Sequence, residues 1–306
     1  ECLAADSEPF ESQSADFQSM MTKHQVADLC EVWQQQVESC DVFDPMFERD
    51  AGEAIFVTRE NNWVANEMWN YFDSLGVLKN PQSLRRNLHD VMEVYCSEES
   101  EITNQAKAQG LMAERFCRRD GDLSTITGRK ALYDRLLKCL PRNLWLSPKC
   151  TAWCKWASFN MSKSPEAARK IHEARAADLE YLLLCDALFQ FQLWRSPQSH
   201  AHLEQPKGSQ MVYQEELQAI LDRAFVAHCD MCRAGSLKHP VSGKLIQKGT
   251  QVITTSKIMF HHLDSLKCDR SHEHDFVAGS FRHAELGRIN VSQYRSEEHT
   301  SELQSR

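Results

Sequence analysis

From Lys23 to Cys40 the apolar positions Val26, Leu29, Cys30, Trp33 and Val37 recur at spacings of three and four, the period of one helical face. A second helical stretch runs from Asn62 to Leu75, with Val64, Met68, Trp69 and Phe72 on one side and Gly76 as its stop. Asn80-Pro81 is a break. Beyond it the pattern becomes an alternation of short apolar runs and longer periodic ones. Strands are expected at Asp90–Tyr95, Leu111–Phe116, Asn143–Ser147 and from Ala201 to Leu203, with a β-branched strand at Gln251–Ser256. Between them the spacing predicts helices over Ser100–Gln109, Gly128–Cys139, Ser164–Trp194 and Val212–Ala224. Leu132, Leu136, Leu137 and Leu140 form the stripe of the second of these. Ser164 and Pro165 suit the start of the third, whose inner face would use Ile171, Ala174, Leu182, Cys185, Leu188 and Phe189. Strands and helices alternating in this way imply βαβ units, a mostly parallel sheet and a Rossmann-like α/β fold.

Composition divides the chain. Residues 1–20 are rich in Ser, Glu and Asp without a period and are expected to be disordered. Residues 21–80 read as a helical appendage, either a cap on the domain or the end of a preceding linker. Residues 81–294 read as the α/β domain. Residues 295–306 look like the in-frame translation of a sequencing adapter and are set aside. The chain opens on Glu1 and is expected to be a piece of a longer one. Residues 1–80 carry 4 Lys/Arg against 16 Asp/Glu, whereas 81–294 carry 29 against 24, so the net charge of −8 belongs to the leader. A mildly basic domain permits contact with nucleic acid without requiring it. No apolar run is long enough for a membrane span, and no secretory signal is visible. The 12 cysteines lack regular spacing, and Cys139 and Cys185 sit inside helical patterns, so reduced thiols in a cytosolic or nuclear compartment are expected.

In parallel sheets the loops beyond the carboxyl ends of the strands hold ligands. The loop after the third strand reads Ser147-Pro148-Lys149-Cys150, and the fourth strand ends in His202-Leu203-Glu204-Gln205-Pro206. The second strand leads into Asp120-Gly121-Asp122-Leu123, and the first into Tyr95-Cys96-Ser97-Glu98-Glu99-Ser100. This order resembles the DNA cytosine 5-methyltransferases, a class I methyltransferase fold, over roughly 200 residues. The family carries Pro-Pro-Cys where this chain has Pro148-Lys149-Cys150, and Glu-Asn-Val where it has Glu204-Gln205-Pro206. The resemblance implies Cys150 as the nucleophile that adds to carbon 6 of cytosine and Glu204 as partner of ring nitrogen 3. It further implies an S-adenosylmethionine site around Glu93, Tyr95, Ser97, Asp122, Ser147 and Pro148. The chain departs from the pattern at Lys149, whose ammonium could lower a thiol pKa, and in the first loop, which lacks the family's glycines. A narrower similarity, over residues 143–156, 202–209, 244–256 and 272–280, is to methyltransferase-like regions of retroelement polyproteins in unicellular algae. A structural cysteine in a proline turn is the plainer reading of Cys150.

Two Cys/His groups have ligand spacing. Cys229 and Cys232 form a C-x-x-C, with His239 seven residues on, and Cys268, His272 and His274 form a second cluster. If zinc binds, Cys229, Cys232, Cys268 and one of His272 or His274 should converge. Chance clusters and a polar loop are the alternative. Trp153, Trp156 and Phe159 follow Cys150 with Lys155 between them, and could stack on a base or pack the loop onto the sheet. Three functions follow as expectations: methyl transfer to cytosine, a non-catalytic module binding nucleic acid or a partner chain, or a zinc-dependent interaction domain.

Overall fold

The structure, a computed structural model, describes residues 29–34, 62–234, 238–239, 242–276, 280–283 and 287–290. The expectations for 1–20 and 295–306, and the outer parts of the Lys23–Cys40 helix, lie outside the described residues; residues 29–34 are helical.

The helices are α1 (Trp63–Ser74), α2 (Glu101–Ala108), α3 (Ile126–Cys139), α4 (Lys155–Met161), α5 (Pro165–Ala177), α6 (Leu179–Arg195), α7 (Gln218–Leu221), α8 (Met231–Ala234) and α9 (Lys257–Ser265). The strands are β1 (His89–Cys96), β2 (Ala113–Cys117), β3 (Pro141–Leu146), β4 (His200–Pro206), β5 (Phe225–Asp230), β6 (Leu245–Gln247), β7 (Gly249–Thr254), β8 (His274–Phe276), β9 (Ser280–His283) and β10 (Gly287–Asn290). Six strands form one sheet in the order β2-β1-β3-β4-β7-β5. The pairs β1–β2, β1–β3 and β3–β4 are parallel, and β7 runs antiparallel to both β4 and β5. The architecture is α/β with a mostly parallel sheet and flanking helices, compatible with a Rossmann-like fold. The mostly parallel sheet expected from the alternation is present, with β7 as its antiparallel strand. Its first residue, Gly249, pairs with Asp230, the last of β5, so the chain turns back along the strand it has just left. Antiparallel neighbours need no crossover helix.

Side chains alternate across the sheet, and each face is covered. Met92, Val94, Leu144, Leu146, Ala201, Leu203 and Ile253 point into the larger core, shared with α1, α3 and α6. Val91, Ala113, Trp145, Ala227, Cys229 and Val252 point into a smaller core, completed by α2, α9 and residues 29–34. α1 is set by Asn62, whose side chain accepts from the Ala65 amide at 2.8 Å and donates to Asp186 Oδ2 of α6 at 2.7 Å. α6 is buried around most of its circumference, with Asp186, Gln192 and Arg195 buried among its apolar residues.

Two expected helices differ. The single helix over Ser164–Trp194 is two, α5 and α6, divided at Asp178. α5 buries only Ile171 and stays outside, whereas α6 must enter the core, and the chain bends between them. The helix over Val212–Ala224 is instead two 3-10 turns followed by the single turn α7. Its buried positions, Met211, Val212, Leu217 and Ile220, do not keep a helical period. β5 and α9, which frame the smaller core, were not anticipated.

Candidate functional site

The chain passes from β1 to β2 on one side of β1 and then to β3 on the other, which makes the carboxyl ends of β1 and β3 the switch point of the sheet. Cys150 follows the end of β3 and Glu204 lies near the end of β4, on neighbouring parallel strands. Both are buried. Trp145 Nε1 donates to Ser147 Oγ at 3.1 Å, and Ser147 Oγ donates to Glu204 Oε2 at 3.1 Å, so β3 holds the carboxylate in place. On the other side of β4, Gln205 Nε2 donates to the Pro148 carbonyl at 2.9 Å, and Gln205 Oε1 accepts from Ser209 Oγ at 3.0 Å. These bonds fix the Ser147–Cys150 loop, and nothing in the pattern of apolar residues signals them.

Burial pushes the Cys150 thiol well above its ordinary value, and the neighbouring Cys154 and Glu204 push it further. Lys248 opposes this, whereas Lys149, the cation that stood out in the sequence, is exposed and is not among the largest influences on the thiol. A nucleophilic cysteine needs thiolate character at neutral pH. The surroundings of Cys150 favour the neutral thiol.

The residues expected around S-adenosylmethionine are engaged by their own neighbours. Glu93 is wholly buried and accepts from Ser100 Oγ and from Thr103 Oγ1 (2.9 Å). Burial raises its carboxyl to about 7. Tyr95 adopts φ 63, a left-handed backbone conformation that favours glycine, at the turn where the resembled family has one. Its ring packs edge-on against Tyr181 at 5.7 Å, and its hydroxyl donates to the Tyr181 carbonyl at 3.4 Å. Asp122 accepts from the Ser124 amide and hydroxyl at 3.0 and 2.8 Å, closing a turn of its own. Gly128 of α3 backs onto that turn so closely that a Cβ would stand 2.0 Å from the Asp122 carbonyl oxygen. The polar atoms of this set left unpaired among the described residues are Glu93 Oε1 and Ser97 Oγ, both shut away from solvent. A turn filled by Tyr95 and carboxylates tied into their own loops do not fit S-adenosylmethionine.

The aromatic residues after Cys150 divide. Trp153 is buried, donates to Asp178 Oδ2 at 2.9 Å and carries the Arg175 guanidinium over its ring at 5.0 Å. Trp156 and Phe159, on α4, are 59% and 54% exposed and meet edge to face at 6.1 Å. Lys163 Nζ stands 4.7 Å from the centre of the Phe159 ring. Lys149, Lys155 and Lys207 are exposed, Lys155 at the start of α4 and the other two in the turns after β3 and β4. Gly208, at φ 80, lets Lys155 lie against the turn after β4, since a Cβ there would stand 2.4 Å from Lys155 Cε.

Of the five expected metal ligands, Cys232, Cys268, His272 and His274 come together, with their ligand atoms all within 4.8 Å of one another. Cys229 is left out. It lies on β5 with its side chain in the smaller core, so the C-x-x-C supplies one member of the group, and both histidines take part. His239 lies apart, its ring accepting from the Ser242 amide at 3.3 Å.

No protein-family profile, curated protein or solved structure matches the chain. Among the described residues no helix is long and apolar enough to cross a membrane.

Proposed function

We propose that this chain is a cytosine-methyltransferase-like α/β domain that binds single-stranded nucleic acid at the carboxyl edge of its sheet and does not transfer a methyl group. The observation that carries the reading is the pair Trp156 and Phe159, exposed together on α4 with Lys155, and with Lys163 against the Phe159 ring. Exposed rings stack on bases of any sequence, and lysines follow the phosphates; together they make a platform for an unpaired strand. The order of Cys150 and Glu204 at the ends of adjacent parallel strands supports the methyltransferase-like ancestry. The buried thiol and the filled β1 turn support the loss of transfer.

Fluorescence anisotropy with a labelled single-stranded oligonucleotide tests the reading. Binding should weaken as salt rises, and Trp156→Ala should weaken it about tenfold, within the range for loss of one stacked base. Calorimetry with S-adenosylmethionine should show no binding. Saturable S-adenosylmethionine binding with methyl incorporation that Cys150→Ala abolishes would restore the enzymatic reading. Failure to bind the oligonucleotide at low salt would remove the nucleic-acid reading.

A further inference from the structure

The geometry points to a structural zinc site formed by Cys232, Cys268, His272 and His274. Cys268 Sγ lies 3.3 Å from His274 Nε2 and 3.7 Å from His272 Nε2, and His274 Nε2 lies 3.3 Å from Cys232 Sγ. In a tetrahedral zinc site, with Zn–S of about 2.3 Å and Zn–N of about 2.0–2.1 Å, neighbouring sulfur and nitrogen ligands stand about 3.6 Å apart. The observed separations bracket that value. The two imidazoles meet edge-on with ring centres 4.4 Å apart, which brings both ring nitrogens to the same side of the cluster.

Hydrogen bonding within the cluster does not account for the convergence. A thiol can give its proton to an imidazole, but His274 Nε2 is equally near both sulfurs and has one lone pair to offer. Four electron-pair donors aimed at one point repel unless a cation sits among them. The loop is also built to present a sulfur ligand. Arg270 takes φ 61, and its backbone N–H donates to Cys268 Sγ at 3.2 Å. The Cys268 N–H donates to Asp230 Oδ2 at 2.9 Å, which ties the loop to the end of β5. Arg233, next to Cys232, pairs with Asp269, next to Cys268, at 3.5 Å.

Two thiolates and two imidazoles in tetrahedral array select zinc over the oxygen-seeking magnesium and calcium, and four protein ligands leave no open position for catalysis. The ion would fasten α8, at the end of β5, to the loop that enters β8. β8 pairs with β6 in a two-stranded sheet, so one metal would pin this small sheet to the edge of the large one. This holds independently of what the carboxyl edge of the large sheet binds.

Metal analysis of the purified full chain, after dialysis against metal-free buffer, should give one zinc per chain. Cys232→Ser and Cys268→Ser should each lose it, whereas Cys229→Ser should keep it. Cobalt substituted for zinc should give the visible absorption of a tetrahedral site with thiolate ligands. Should the two serine variants fail to fold, the unmodified chain still decides the matter. A strong chelator should expose Cys232 and Cys268 to alkylation, and added zinc should protect them again. A chain that holds neither zinc nor cobalt, labelling at those two cysteines that the chelator leaves unchanged, or zinc retained in Cys268→Ser would each overturn the assignment.

Discussion

Glu93 is wholly buried on the face of β1 that carries Val91, and its two hydroxyl partners, Ser100 and Thr103, come from the cap and first turn of the helix that follows its own strand. Its carboxyl titrates at about 7 in the folded chain against 4.5 when exposed, and burial is the principal cause. The unfolded chain therefore gives up this proton above pH 4.5 while the folded chain keeps it to about 7, so stability falls as pH rises through that window. Glutamine can accept from the same hydroxyls and cannot titrate. Glu93→Gln should thus gain on the parent chain by on the order of 3 kcal/mol between pH 4.5 and 8. His202, held neutral by burial between Thr254 and Asn143, loses stability towards acid, but it is common to both proteins and drops out of the difference. Denaturant melts of both proteins across this range check the point, and a pH-independent difference would show that Glu93 is ionised in the fold. Residue by residue, the sequence located Cys150 and Glu204 because each directly follows or ends an apolar strand. It could not show that the Cys150 thiol is sealed, because its surroundings include Glu204 and Lys248, which come from distant parts of the chain.

At the scale of elements, Arg129 does what no apolar stripe reveals. It sits on α3, almost wholly buried, and its guanidinium meets Glu67 of α1 through Nε (3.1 Å) and Nη2 (2.7 Å) and Glu180 of α6 at 3.1 Å. A fourth bond reaches the Leu123 carbonyl at 3.3 Å, and Trp63 lies against the guanidinium at 5.0 Å. Three helices from distant parts of the chain are joined at one side chain. The Glu67 and Glu180 side chains keep 16% and 36% exposure, so water can partly replace the guanidinium when it is lost. Arg129→Met should therefore cost about 2 kcal/mol, below the range for a fully buried pair. Combining it with Glu67→Gln should cost less than the two single changes added together, and strict additivity in the double-mutant cycle would mean that the pair is not coupled. The periodic helices α1 and α3 and the strands β1 to β4 were legible because their apolar spacing is regular. β5 was not, although Ala227 and Cys229 alternate with Val226 and His228 across it, because Cys229 read as a ligand before it read as part of a strand. The break at Asp178 was hidden for a different reason. Its carboxylate serves Trp153, and both neighbouring segments favour helix on their own.

Over the whole molecule the sheet needs cover on both faces, and only one cover is made entirely from the residues after Asn62. The larger core is closed by α1, α3 and α6. The smaller one is closed in part by residues 29–34, which bring Leu29, Cys30, Val32 and Trp33 onto Val91, Trp145 and Val252. Trp33 meets Trp145 edge to face at 6.4 Å, and both rings are wholly buried. The acidic leader thus supplies part of the fold's interior, and a boundary drawn from charge alone would cut through it. Trp33→Ala should remove on the order of 3–5 kcal/mol, the usual cost of emptying a large aromatic site, which is a large share of a typical domain's stability. Trp33→Phe should be far milder, for a specific reason. Trp33 Nε1 is buried without a hydrogen-bond partner among the described residues, so phenylalanine gives up ring area but also removes an unpaired N–H. Thermal melts of the full chain carrying each change, read with an apolar dye, distinguish the cases. Early melting and dye uptake for alanine, with phenylalanine close to the parent, is the expected order. Equal and small effects from both would mean that the segment around Trp33 does not cover the sheet in solution.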